Sequence, residues 1–355
     1  MNAFIAWTPL HVINIINTTI NYFPGVKSDL FIYDEFNGAE DVYKEIKALD
    51  VFDNVYLIAH KKTGNFVSKG LSILFNRQKY VEHNETYSDI FIQGGNYFSK
   101  VLYGEIKKKN IDVKLHYIED GLGAYIDSPI IRIDTPLKKA VKFSNRYSMY
   151  HAVIESYYVY EPRLIKNKRD MLYNQLPKLT KKNNALEIIN KVFLISESKT
   201  VKLSDRILFF DQPFLADGFS IDEVSFVEEL KELTVNIPTV VKFHPRSNED
   251  KYGEVETLST NLPWEMLCLN LKMNNVFLLS IASTAAFTPY MMYGIEMPVI
   301  VLAPYYLEKM DRNIKNERTL KMLDNVAEFS SFFKENTETN IFMPETLEEL
   351  EKLLS

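Results

Sequence analysis

The feature that most constrains this chain is a strand–helix alternation that runs, pauses and starts again. Phe4 to Trp7 is a short apolar run of the kind a buried strand shows. Thr8-Pro9 follows, a helix N-cap with proline at the first helical position, and Pro24-Gly25 stops the helix that begins there. The same reading places strands at Leu30–Tyr33, Val55–Ile58, Asp89–Ile92 and Val113–Ile118, with helices over about 39–49, 66–84 and 97–109 between them. At Ile207 the pattern restarts. Strands are predicted at Ile207–Phe210, Thr239–Phe243, Asn275–Leu279 and Val299–Leu302, helices over 222–233 and 285–293, and a helical tail over 304–355.

Short β-rich runs separated by helices require crossover connections, and so a parallel sheet with helices on both faces. Two such runs in 355 residues, at about 150 residues per domain, predict an α/β chain of two Rossmann-like, doubly wound domains facing each other across a cleft. The expected divisions are a first domain over 1–160, a charged helical linker over 161–202 and a second domain over 203–355. The lysine-rich stretches of the linker, Lys166-Asn167-Lys168-Arg169 and Lys181-Lys182, read first as solvated helix faces.

Composition narrows the function classes. Lys plus Arg number 41 against 47 Asp plus Glu, a formal charge of −6, which argues against a partner held by bulk charge such as nucleic acid. The single cysteine, Cys268, excludes an internal disulfide and any multi-cysteine metal site, and fits a reducing compartment. The amino-terminal apolar stretch ends at Thr8-Pro9 without a basic segment before it, and no run of ~18 apolar residues occurs, so neither a signal peptide nor a membrane span is expected. No Walker A, G-x-G-x-x-G or G-x-S-x-G pattern appears, which weakens nucleotide triphosphatase, dehydrogenase and hydrolase readings.

In open parallel sheets, ligands bind at the carboxyl ends of the strands. Those ends carry the polar and glycine residues here. The first domain offers Thr8, Pro9 and His11, then Gly94 and Asn96, then Glu119, Asp120 and Gly121. Two adjacent carboxylates at a strand end are costly if buried without partners. They serve either as a base or hydroxyl-binding pair, or as an acidic cap on the next helix. The second domain offers Gln212 and Asp217, then His244-Pro245-Arg246, then Ser280 to Thr284. A histidine donates to phosphate or exchanges protons near neutral pH, and an arginine adds a planar cation. Small hydroxyls at a helix start cap it, and with its free N–H groups also suit an anion. Asp217-Gly218 is otherwise a plain turn.

Taken together, these motifs resemble bacterial sialyltransferases, most closely glycosyltransferase family 52. Thr8-Pro9-Leu10-His11 is similar to the family's Thr-Pro-Leu-Gln signature, with His for Gln. Glu119-Asp120-Gly121 resembles the acidic-acidic-Gly motif, His244-Pro245 the His-Pro motif and Ser283-Thr284 the paired-hydroxyl motif. Gln212-Pro213 with Asp217 resembles a Gln-Pro…Asp segment. The resemblance implies a GT-B fold and an inverting, metal-independent transfer of sialic acid from CMP-sialic acid to a glycan ending in galactose, as in lipooligosaccharide or capsule, with no cofactor. It assigns His244 to the donor phosphate with Ser283 and Thr284. It places the base at Asp217 ahead of Asp120, with Glu119 and Asp120 then binding acceptor or donor. It allows a homodimer. A lipid-linked acceptor would bring an otherwise cytoplasmic chain to the inner face of the membrane, through its basic linker. The alternatives are a GT-B transferase using a UDP-hexose, and a catalytically silent glycan- or nucleotide-binding protein on the same scaffold.

Overall fold

Each run of alternation closes into its own parallel sheet in the computed structural model, and the chain divides into two units, Met1–Ile195 and Ser196–Ser355. The structure describes residues 1–77, 85–126, 130–168, 170–194, 201–234, 237–244, 247, 249–258, 262–310 and 316–354.

The first unit runs β1 (Asn2–Ala6), α1 (Pro9–Tyr22), β2 (Ser28–Asp34), α2 (Ala39–Ala48), β3 (Asn54–Ala59), α3 (Phe66–Phe75), β4 (Asp89–Ile92), α4 (Tyr97–Lys109), β5 (Lys114–Ile118), α5 (Pro136–Ser144), β6 (Ile154–Val159), β7 (Leu172–Gln175) and α6 (Asn184–Val192). Its strand order is β3-β2-β1-β4-β5-β6-β7. The chain therefore winds outward from β1 through β2 to β3, then returns to lay β4 on the other side of β1. That reversal between β1 and β4 is the topological switch point, where such sheets open a crevice for ligands. Phe4 lies opposite Leu30 on one side and Phe91 on the other, and its ring stacks on Phe91 at 4.5 Å between centroids.

Residues 161–194, expected as a linker, belong to this first unit. β7 adds a seventh strand to the sheet, and α6 packs on α1. The reason lies in α1, which is buried from His11 to Thr19 and carries Asn14 and Asn17 into the interior. Buried amides need partners. Asn17 donates to the carbonyl of Pro177 (2.8 Å), and Asn183 donates to the Asn17 side-chain oxygen (2.9 Å), so the charged segment satisfies groups that would otherwise be orphaned. Helix α3 is shorter than the predicted 66–84. Asn76 takes a left-handed conformation (φ +47) and ends it, and residues 78–84 lie outside the described residues.

The second unit runs β8 (Val201–Phe210), α7 (Glu223–Leu233), β9 (Thr239–Lys242), β10 (Glu256–Thr257), α8 (Trp264–Asn270), β11 (Leu271–Ser280), β12 (Val299–Val301), α9 (Ala303–Lys309), α10 (Glu317–Asn336), β13 (Ile341–Phe342) and α11 (Leu347–Leu354). The order is β10-β9-β8-β11-β12-β13, with the switch point between β8 and β11. The tail predicted as wholly helical thus supplies a two-residue edge strand, β13, too short for any periodicity to reveal. The predicted helix over 285–293 is instead a 3-10 turn, Thr284–Phe287, followed by a π turn, Pro289–Tyr293. Pro289 has no N–H to give to the carbonyl of Ala285, which breaks the α pattern. That carbonyl accepts instead from the N–H of Thr288 and from the indole N–H of Trp264 (2.7 Å).

Candidate active site

At the first switch point, three loops converge on Asp120. Thr8 caps α1, its hydroxyl accepting from the His11 N–H at 3.2 Å, and Pro9 occupies the first helical turn. This cap sets His11 one turn into the helix with its side chain wholly buried. The Trp7 N–H points at His11 Nδ1 (3.3 Å), so that nitrogen is the acceptor and the ring proton sits on Nε2. Nε2 then donates to Asp120 Oδ1 at 2.9 Å. Asp120 itself is 42% exposed. The pair is thus a buried imidazole holding an exposed carboxylate, the arrangement that fixes a base in one orientation.

The β4 end completes the surroundings. Gly94 holds φ +150, and a Cβ there would sit 3.6 Å from the Trp7 ring and 4.0 Å from Asp120 Oδ2. The absent side chain keeps the second carboxylate oxygen clear. Asn96 caps α4 by accepting from the Ser99 N–H (2.7 Å). Lys100, one turn further, packs its stem 3.3 Å from where a Gly95 Cβ would be, and burial lowers its ammonium to about 8. Gly121 follows the carboxylates with φ +60, turning the chain into a short 3-10 segment.

Glu119 and Asp120 have opposite environments despite being neighbours, as side chains alternate at a strand end. Glu119 is buried. Its Oε2 accepts from the Tyr125 hydroxyl and from the Tyr160 N–H (2.7 Å), while its backbone carbonyl accepts from Asn14 (2.9 Å). Burial pushes its carboxyl up to about 8. The expectation that Glu119 binds substrate gives way here to an internal role tying β5 to β6 and α1. His11 likewise does not reach outward; it acts on Asp120.

In the second unit, Gln212, His244 and Ser283 lie at the carboxyl ends of the adjacent strands β8, β9 and β11. Gln212 joins two of them, its Oε1 accepting from the Ala282 N–H at 3.2 Å. The hydroxyls expected to hold an anion are engaged locally. Ser280 Oγ accepts from the Ser283 N–H (2.7 Å) and donates to its carbonyl (3.1 Å), and Ser283 Oγ accepts from the Ala285 N–H (3.3 Å). Behind them stand a four-residue 3-10 turn and a five-residue π turn in place of the α-helix that was to favour phosphate. Thr284 opens that turn and is half-buried. Asp217 is half-buried in the turn after β8, its N–H bonded to the carbonyl of Pro213 (2.9 Å). Pro245 and Arg246 lie outside the described residues.

Sequence reasoning missed a cluster beneath this edge. Asp211, buried, receives the His244 N–H on Oδ2 (2.9 Å), and on Oδ1 both the Lys251 ammonium (2.7 Å) and the Tyr252 hydroxyl (2.7 Å). Lys251 also pairs with the buried Glu223. Burial pushes the Asp211 carboxyl up, but Lys251, Tyr252 and the His244 N–H outweigh it and hold it below the usual range. This cluster fixes the backbone of His244. Asp211 directly precedes Gln212, so its position at a strand end was the available signal.

No family model matches the chain, and no curated protein matches it. Among solved structures it is similar to a spinosyn forosaminyltransferase, with 9% identity over 99% of this chain and 98% of that one and a TM-score of 0.46. It is also similar to a UDP-GlcNAc 2-epimerase from Neisseria meningitidis bound to UDP-GlcNAc, with 10% identity over 100% and 98% and a TM-score of 0.46. The E. coli heptosyltransferase WaaC with ADP gives 11% identity over 94% and 98% and a TM-score of 0.32. At TM-scores under 0.5 these likenesses assign no role to any residue here.

Proposed function

We propose that this chain is an inverting GT-B glycosyltransferase that moves sialic acid from CMP-sialic acid to a galactose-terminated glycan without a metal. The observation that carries the transferase reading is the exposed Asp120 carboxylate, oriented by buried His11 at the β1/β4 switch point. The sialic acid donor rests on the motif resemblance, in which the Thr-Pro-Leu, acidic-acidic-Gly and His-Pro segments occur in that order, following β1, β5 and β9.

In this reading Asp120 takes the proton from the acceptor hydroxyl as its oxygen forms a bond to the anomeric carbon. The bond from that carbon to the donor phosphate oxygen breaks, and its electron pair leaves with CMP. His244 binds or protonates that phosphate, and Thr284 assists. The geometry of the His11 pair favours Asp120 over Asp217 as base, and leaves Asp217 to the donor. The position where the family 52 signature has Gln carries His11 here, and His11 donates to Asp120. CMP-sugars arise in the bacterial cytosol, and the reading places the reaction there.

Melting of the full chain with CMP, CDP, UMP and UDP tests the donor class. A ligand at ~100 times its Kd stabilises by roughly 2.7 kcal/mol, a clear melting shift. Selective stabilisation by CMP, unchanged by EDTA, is expected. Selective stabilisation by UDP would move the reading to a UDP-hexose donor, and no shift with any nucleotide would reject it.

A further inference from the structure

Helix α3 wears its apolar residues on the outside. Val67, Leu71 and Phe75 recur every four residues, which puts them on one stripe, and each is at least 50% exposed. No residue of α3 whose burial is described is buried. A soluble surface helix shows the reverse pattern. Helix α5 repeats the feature beside it, with Leu137 exposed and Phe143 95% exposed.

The two helices meet at their C-terminal ends. Asn76 and Asn145 exchange side-chain hydrogen bonds (3.0 and 2.9 Å), and Asn145 also donates to the Ile73 carbonyl (3.1 Å). The end of α4 joins them through Lys108, which donates to the Phe75 carbonyl (2.5 Å). Beside this junction opens a cavity of about 230 Å³ whose lining includes Lys107, Lys114 and Arg146, with Glu155 as its one carboxylate. His151 lines it too and bonds to the Lys142 carbonyl (2.6 Å), one residue before Phe143.

Neither α3 nor α5 contains an acidic residue, and between them they carry Lys69, Lys138, Lys139 and Lys142. Lys107, Lys108 and Lys109 close α4. This positive concentration stands out in a chain of formal charge −6. A second copy docked through the same face would set lysines against lysines, since a two-fold interface pairs a patch with itself. An anionic bilayer complements both properties: apolar side chains enter the acyl boundary and the lysines meet headgroup phosphates. Among the described residues, no helix is long and apolar enough to cross a membrane.

We propose that the junction of α3, α4 and α5 is a docking surface for anionic phospholipid membranes, with Val67, Leu71, Phe75 and Phe143 as the inserting residues and the Lys107–Arg146 cavity as a headgroup site. Its residues are not those of the basic runs at Lys166 and Lys181 that the sequence pointed to.

Co-sedimentation of the full chain with vesicles tests it without reference to transferase activity. Binding is expected to equal parts phosphatidylcholine and phosphatidylglycerol, to weaken in high salt, and to be slight on phosphatidylcholine alone. Phe143→Ser and, separately, Phe75→Ser should each weaken binding by about tenfold or more. Leu172→Ser, at an exposed site on β7, should leave it unchanged. Both serine replacements fall on exposed side chains, and an unchanged circular dichroism spectrum confirms that each variant folds. Absence of binding to the anionic vesicles, or binding that both variants retain in full, overturns the proposal. A concentration-dependent dimer abolished by Phe143→Ser would overturn it in favour of a second copy.

Discussion

His11 Nε2 lies 2.9 Å from Asp120 Oδ1 across 109 residues of sequence, with the imidazole wholly buried and the carboxylate 42% exposed. The histidine holds the carboxylate and, being buried, does not reach outward itself. His11→Ala should therefore lower kcat by about tenfold or more with little change in KM, since orientation is lost and contact surface is not. Assays belong below the variant's melting temperature, because a buried ring is also removed. A KM effect without a kcat effect would make His11 a binding residue instead.

Glu119 gives the fold a pH dependence of its own. Its carboxyl is pushed from 4.5 to about 8 by burial, so the folded chain binds a proton that the unfolded chain releases. Stability is then greatest below about pH 4.5 as far as this group is concerned, and falls by roughly 3–5 kcal/mol as pH rises to 8. Glu119→Gln keeps an acceptor for Tyr125 and Tyr160 and removes the titration. Urea melts of both proteins at pH 5 and pH 8 should show similar stability at the lower pH and a more stable variant at the higher. Parallel curves at both pH values would show that Glu119 is not the source.

Lys251 neutralises two buried carboxylates at once, Asp211 and Glu223. Replacing it with methionine leaves both facing each other without a cation. A loss of about 3–5 kcal/mol at neutral pH is expected, as for other broken buried pairs. The pH dependence should also change sign. In the native chain the lowered Asp211 contributes stability that is lost only as pH falls below the usual carboxylate range. In Lys251→Met the carboxylates titrate high, so stability is lost as pH rises. Chemical denaturation across pH separates the two.

Gly104 lies in the middle of α4, where alanine ordinarily stabilises a helix by about 1 kcal/mol. Here a Cβ would fall 2.0 Å from Asn76 Oδ1, inside the amide pair that joins α3 to α5. Gly104→Ala should instead destabilise by about 1–3 kcal/mol. Adding Asn76→Ala should recover part of that loss, because the contacts at 2.0 and 2.3 Å go with the amide and only the Asn76 Cβ, at 3.0 Å, remains. A stabilised single variant would mean that α3 does not pack against Gly104.

Much of this was legible in the sequence and some was not, for identifiable reasons. The strands β1 to β5, β8, β9, β11 and β12 announced themselves because parallel strands are buried on both faces and read as apolar runs. β6, β7, β10 and β13 did not: β7, β10 and β13 are edge strands with little to bury, and Glu155 and Ser156 interrupt the apolar run of β6. The segment 161–194 looked like a linker because its lysines dominate; its structural work is done by Pro177 and Asn183, whose partners on α1 are more than 150 residues away. The strand ends that carry the candidate site were readable from position alone. The roles of Glu119 and Asp120 were not, since adjacent carboxylates look alike until one is seen to be buried under Tyr125 and the other held by His11. Ser283 was ambiguous for a related reason: a hydroxyl before a helix start also caps, and here it accepts from the Ala285 N–H ahead of a 3-10 turn.

In the proposed metal-independent transfer from CMP-sialic acid, Asp120 removes the acceptor proton. The most direct test is CMP release at saturating donor and a galactose-terminated acceptor, in EDTA, for the native chain, Asp120→Asn and Asp217→Asn. Turnover by the native chain is expected, with a fall in kcat of about 10²–10⁴ for Asp120→Asn and a smaller fall for Asp217→Asn that is felt more in donor KM. Near-native kcat in Asp120→Asn with its loss in Asp217→Asn would return the base to Asp217. No CMP release by the native chain would overturn the proposed transfer from CMP-sialic acid.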